Sequence, residues 1–248
     1  MRYSTVLLLL ALLAALIGVL TPSSAVGAPG VVRDDINGDG KGDLLIGVPL
    51  ESVRGARRAG AVNVVFSNGN RLAKPGNQLL TQAADEDGEV EPDDLFGSAV
   101  ELVDVNGDGF AEAVIGASGE SVGLEVNAGA VLVVPGSRQG LRSDDVERFV
   151  QGADLPDEAE LGDFFGFNIT SGDFDGDGYG DVVISAPFDD VGSRIDAGNV
   201  TVIHGSSVGL DRSSAQVLSQ GPETVGAANP GDFFGWSLAS GDFDGDGF

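Results

Sequence analysis

The sequence contains no cysteine. Disulfides, thiolate-held zinc and a thiol nucleophile are therefore excluded, and a secreted chain built this way needs something else to hold its loops. Basic residues are scarce: 13 Lys and Arg stand against 39 Asp and Glu, a formal net charge of −26. Nucleic acid and anionic membrane surfaces both call for basic patches, so neither is expected as the main partner; cations are. There is one histidine, His204, so any catalytic set that needs an imidazole has a single candidate. Beyond residue 28 no apolar run approaches the ~20 residues of a membrane-spanning helix, and no 3.6-residue periodicity persists.

The one long apolar run is at the start. Arg2 supplies a charge, Val6 to Leu20 are apolar apart from Gly18, and Thr21-Pro22 ends the run. Small residues follow, with Ala25 or Ala28 as cleavage points. Residues 1–28 are expected to be a cleaved secretory signal peptide, and the mature protein an exported one. Residues 29–248 form the second segment.

What that segment has in abundance is glycine and acid, in a fixed arrangement. Asp35, Asn37, Asp39 and Asp43 are followed directly by an apolar run, Leu44 to Val48. The same figure returns with Asp104, Asn106, Asp108 and Glu112, and again with Asp173, Asp175, Asp177 and Asp181. A fourth copy begins with Asp242, Asp244 and Asp246. Each copy starts 69 residues after the last. Other features keep this period: Phe96-Gly97, Phe165-Gly166 and Phe234-Gly235; Ala59-Gly60, Ala128-Gly129 and Ala197-Gly198; Leu72, Leu141 and Leu210; Gln82, Gln151 and Gln220. A fixed period of this size predicts stacked or radially arranged modules. Each module reads as four short strands, at 96–103, 112–116, 130–134 and around 147–151 in the second copy. The expected fold is all-β, a β-propeller of four-stranded blades. The first module lacks the Phe-Gly opening, so its first strand is expected only within Pro29 to Arg33. Propellers have ~4–8 blades. Three modules and part of a fourth are therefore expected to be an incomplete portion of a longer protein.

The acidic loops point to a hard cation. Calcium takes ~6–8 oxygen ligands. Alternating residues in a tightly turned loop present oxygens inward at positions 1, 3, 5 and 9. Position 7 offers a backbone carbonyl, which leaves its side chain free to vary: Lys41, Phe110, Tyr179. Position 6 is always glycine (Gly40, Gly109, Gly178, Gly247), as a sharp turn demands. An EF-hand or dockerin loop needs an acid at position 12; Ile46, Ile115 and Ile184 stand there, inside the next strand, and exclude both. One Ca2+ per loop is expected. The third loop, with four carboxylates, is expected to bind most tightly. The first loses a charge at Asn37; the second has Asn106 and the longer Glu112. Magnesium fits less well, because it demands stricter geometry and retained waters.

Phe-Gly, the nine-residue acidic loop, and the strands ending Gly47-Val48-Pro49, Gly116-Ala117-Ser118 and Ser185-Ala186-Pro187 together resemble the FG-GAP repeat of integrin α-subunit propellers. The resemblance spans residues 31–248. It implies a propeller, seven-bladed in integrins, with calcium in hairpin loops on one face. Similar repeats occur in bacterial secreted proteins and in a glycosylphosphatidylinositol-cleaving phospholipase D. The expected function is that of a secreted, calcium-binding module for adhesion or for binding an extracellular protein or glycan. The alternative is an accessory propeller of a larger secreted hydrolase whose catalytic part lies outside these residues.

Single features weigh less. Gly205, Ser207 and Gly209 match the G-x-S-x-G nucleophile pattern, but that pattern needs a strand-turn-helix and a spatially separate histidine. His204 is read as a partly exposed strand-end residue. The acids from Asp85 to Asp94 read as a solvated loop. The sequons at Asn168 and Asn199 fall in expected strands, and Trp236 is expected in core or inter-blade packing.

Overall fold

A computed structural model describes residues 34–72, 76–82, 90–152, 155–221 and 224–243. The expected signal segment, the strand expected at 29–33, and Asp244 and Asp246 of the fourth loop lie outside these residues. Among the described residues, eleven strands and one complete 3-10 turn, Arg212–Ser214, make up the regular structure. The first sheet is β1 (Leu44–Val48), β2 (Ala61–Val65) and β3 (Gln78–Leu80). The second is β4 (Phe96–Val103), β5 (Glu112–Ala117), β6 (Ala130–Val134) and β7 (Glu147–Phe149). The third is β8 (Ile169–Gly172), β9 (Asp181–Ala186), β10 (Asn199–Ile203) and β11 (Gln216–Ser219). Neighbours in each sheet follow in chain order and run antiparallel. Register repeats with the sequence period: Leu45 faces Val64, Val114 faces Val133, and Val183 faces Val202. These are propeller blades.

The side-chain alternation of a strand explains how the blades stack. In β6, Val131 and Val133 join a core with Phe149 of the same blade and with Phe165, Val182 and Ile184 of the third blade. Leu132 and Val134 point the other way, into a core with Val62, Val64 and Phe96 against the first blade. All five β6 residues are buried. A sheet covered on both faces needs apolar residues at both phases of the two-residue period, which is why Ala130 to Val134 is an unbroken apolar run.

The Phe-Gly pairs form the seams. Phe96 and Phe165 are at most 1 % exposed, and burying each is worth about 1.5–3 kcal/mol. Their backbone N–H groups donate across the blade boundary to Ala59 O (2.9 Å) and Ala128 O (2.8 Å). Gly60 and Gly129, with φ of +91° and +93°, sit against those phenylalanines. The "G" that closes the motif has a separate role. A Cβ on Gly47 would lie 2.1 Å from Gly97 O, and a Cβ on Gly116 2.1 Å from Gly166 O. The glycine of one blade and that of the next Phe-Gly pair thus meet backbone to backbone, so both halves of the motif are read at the same contact. In the third copy Ser185 takes that place, and its Cβ would stand 3.0 Å from one built on Gly235.

Candidate metal centre

The second and third acidic loops join the first strand of their blade to the second, and the first loop leads into β1 at the equivalent place, so all three reach the same edge of the stack. The turn is set locally. Position-1 carboxylates accept from the position-6 glycine N–H: Asp35 from Gly40 (2.6 Å), Asp104 from Gly109 (3.0 Å), Asp173 from Gly178 (3.1 Å). Those glycines have φ of +79°, +85° and +93°, the left-handed region that side chains disfavour.

The position-9 acid closes the loop from below. Asp43, Glu112 and Asp181 are buried. Each accepts from the N–H at position 2, Ile36, Val105 and Phe174 respectively (3.2, 3.0 and 2.6 Å). The other oxygen of Asp43 and Asp181 takes the N–H of Ser67 and Gly205, just past the third strand of the blade (2.9 Å each). Burial, with the carboxylates of Asp108 and Asp104 nearby, pushes the Glu112 carboxyl up to about 8, against the hydrogen bond from Val105. A cation would relieve that strain directly.

Neighbouring loops are tied together. Ala111 N–H donates to Asp35 O (2.9 Å), and Gly180 N–H donates to Asp104 O (3.0 Å). Position 7 is less free than its variability suggests. The Phe110 ring lies against Gly38 of the preceding loop, and the Tyr179 ring against Gly107. Lys41 instead pairs with Asp39 of its own loop, Nζ to Oδ2 3.2 Å.

The residues fit a hard cation to different degrees. In the third loop Asp173, Asp175 and Asp177 each bring a carboxylate oxygen within 4.8 Å of the others. In the first, the Asn37 amide nitrogen donates to Asp43 Oδ2 (2.9 Å), so the amide must turn to offer its oxygen. In the second, Asp104, Asn106 and Asp108 cap backbone N–H groups of the same turn. Asp242, first residue of the fourth loop, is exposed.

His204 is the partly exposed strand-end residue expected from the sequence, just past β10, but what it faces was not read. Its Nδ1 lies 3.2 Å from Asp181 Oδ2 and 3.6 Å from Asp175 Oδ2, inside the third loop. The signal was available: β10 runs antiparallel to β9 with Ile203 opposite Val182, which sets residue 204 beside residue 181. The segment after it is a tight turn, Gly209 N–H to Ser206 O (2.9 Å), then the 3-10 turn. That is not the strand-turn-helix of a nucleophile elbow. Asn199 is 2 % exposed, out of reach as a sequon, and Trp236 packs 5.0 Å from Phe167 and 5.7 Å from Phe188.

The opposite edge carries buried acids, among them Asp94, which the sequence reading placed in a solvated loop. Asp94 and its counterpart Asp163 are 2 % exposed, not solvated. Each opens a Phe-Gly segment by accepting a backbone N–H three residues back (2.7 and 2.6 Å). Gln151, buried at the end of the second blade, donates to Asp189 in the third (3.0 Å), and Gln82 bonds Glu120 in the same register. Burial, then the neighbouring acids, pushes Asp189 to about 8; burial chiefly takes Asp94 and Asp163 to about 7.

The FG-GAP repeat family matches residues 30–65, 96–134 and 165–203, one copy per blade. The chain is 30 % identical over 204 residues to phosphatidylinositol-glycan-specific phospholipase D of Rattus norvegicus, covering 82 % of this chain and 23 % of that protein. It is 30 % identical to integrin alpha-PS3 of Drosophila melanogaster, over 63 % of this chain and 13 % of the relative. It is 34 % identical to integrin alpha-3 of Mus musculus, over 50 % of this chain and 10 % of the relative. The chain thus spans less than a quarter of the length of these relatives. Three matched repeats, folded as successive blades with Gly47 against Gly97 and Gly116 against Gly166 at the two seams, make this chain an integrin-like FG-GAP repeat protein.

Proposed function

We propose that the protein is a secreted, calcium-stabilised propeller that acts as an extracellular binding or adhesion module. The observation that supports this best is the division of labour between the two edges. One edge gathers the acidic loops and links them by Ala111 to Asp35 and Gly180 to Asp104 hydrogen bonds. Calcium held there would cross-brace a scaffold that has no disulfides. Asp173, Asp175, Asp177 and Asp181 would hold it in the third loop, with Asp35, Asn37, Asp39 and Asp43, and Asp104, Asn106, Asp108 and Glu112, serving the others. The other edge carries a half-exposed aromatic group. Phe164, Phe167, Phe188, Phe233 and Trp236 lie with ring centroids 5.0–6.2 Å apart. Such clusters suit recognition, since rigid aromatic rings bury much area at little entropic cost. Among the described residues no helix is long and apolar enough to cross a membrane.

The test is a screen of the full chain against immobilised extracellular proteins and glycans, with calcium and with chelator. The proposal expects binding that needs calcium and that Trp236→Ala with Phe188→Ala weakens. Binding indifferent to both would reject it. The match to a phospholipase D over 82 % of this chain favours one second reading: an accessory propeller attached to a secreted hydrolase. Turnover of a phosphatidylinositol-glycan substrate by the full-length protein distinguishes the two.

A further inference from the structure

We propose that the third acidic loop is a mixed nitrogen–oxygen site, with His204, Asp175 and Asp181 as ligands, that takes a borderline divalent ion of the zinc class. The inference rests on reading the loops as cation sites; in the third, the zinc-class ion competes with calcium for Asp175 and Asp181, and calcium fills the loop when that ion is absent.

His204 Nδ1 is buried and makes no hydrogen bond. It is nevertheless 3.2 Å from Asp181 Oδ2 and 3.6 Å from Asp175 Oδ2. Asp181 is itself fully buried. Nδ1 and the two carboxylate oxygens thus converge on one point, an arrangement in which a single cation could be held by all three. Zinc–nitrogen and zinc–oxygen bonds are ~2.0–2.2 Å, so donors in a tetrahedral shell stand about 3.3–3.6 Å apart. The two observed separations fall close to that range. Calcium prefers a larger, all-oxygen shell, whereas imidazole raises affinity for zinc and the later first-row metals.

The repeat supplies internal controls. One and two periods before His204 stand Pro135 and Phe66, neither of which offers a side-chain ligand. The surrounding scaffold is otherwise the same: Ser67 N–H and Gly205 N–H both hold the position-9 carboxylate at 2.9 Å. Only the third loop therefore combines an imidazole with the carboxylates. Asp181 is held by Phe174 N–H on Oδ2 and Gly205 N–H on Oδ1. Those bonds fix its orientation and leave each oxygen a further lone pair for the metal.

The experiment uses the full chain without a histidine tag, stripped of metal. Co2+ is titrated as a spectroscopic probe and Zn2+ by calorimetry, each in wild type, His204→Ala and His204→Phe. The phenylalanine variant copies the first blade and so should fold. Wild type should bind one equivalent of Co2+ with ligand-field absorption at the intensity of a four-coordinate nitrogen–oxygen site. Both variants should lose that signal and at least tenfold in Zn2+ affinity, while their Ca2+ binding changes less than threefold. Because the chain holds a single imidazole, its NMR signal should shift on Zn2+ addition. Equal Zn2+ affinity in wild type and variants, or no shift of the imidazole signal, overturns the proposal. Absence of Ca2+ binding with His204-dependent Zn2+ binding intact would instead reject calcium in the loops and leave this site standing.

Discussion

Replacing Gly116 by alanine should break the second seam. The added Cβ would lie 2.1 Å from Gly166 O and 3.0 Å from Ser98 Oγ. Ordinary contact begins near 3.4 Å, so the blades must part by about 1.3 Å, and the first obstacle is backbone rather than a movable side chain. Overpacking of this kind costs ~1–3 kcal/mol or more. The separation also strains the Phe165 N–H to Ala128 O bond (2.8 Å) and the Ser98 Oγ to Gly166 O bond (3.3 Å), each worth about 1 kcal/mol. A loss of about 3–5 kcal/mol follows. With a urea slope of ~2 kcal/mol/M, the midpoint falls by about 1.5–2.5 M. The control is Ser185→Gly, at the equivalent site of the third blade, where a Cβ is already accommodated. It loses the Ser185 Oγ bond to Asn168 N–H (3.0 Å) and some backbone order, about 1–2 kcal/mol in all. A Gly116→Ala midpoint within 0.3 M of wild type, a bound of about 0.6 kcal/mol at that slope, would refute the claim that the two glycines set the blade spacing.

Three further outcomes are expected. Asp94 and Asp163 sit near 7 and Asp189 near 8, against an ordinary value of 3.8, so the folded state holds protons that the unfolded chain releases. Their stabilisation is complete below about pH 4 and is lost as pH rises through 7–8. Metal-free protein should therefore melt several degrees higher at pH 5 than at pH 8.5, and a rise in melting temperature over that interval would contradict the burial. Lys41→Ala removes an ammonium 3.2 Å from Asp39 Oδ2; an exposed pair is worth ~1 kcal/mol or less, so stability should hold while calcium affinity of the first loop rises a few-fold in a titration. Asp177→Ala should remove one equivalent of bound calcium by calorimetry, and unchanged stoichiometry would exclude Asp177 as a ligand.

Much of the fold was legible because it repeats. The 69-residue register fixed which segments are equivalent, and β6 appeared with the bounds read from Ala130 to Val134. Turn positions were legible for a steric reason: Gly40, Gly109 and Gly178 all adopt positive φ. What stayed hidden is contact between modules. Phe110 and Tyr179 look interchangeable in a row of loops, yet each packs on the loop before it. Asp94 looks like one acid in a solvated run, and only its place under the next Phe-Gly seam buries it. His204 looks like a strand end until antiparallel pairing brings it back to Asp181.

The measurement that bears most directly on the account is the melting temperature of the full chain in calcium and in chelator. Calcium at ~100 times its dissociation constant stabilises the folded state by about 2.7 kcal/mol per site. For a domain of this size that corresponds to roughly 5–10 °C per occupied loop. The account predicts a drop of at least that size in chelator, reversed by added calcium. An identical melting temperature in both would contradict the claim that the acidic loops hold the blades together through bound cations.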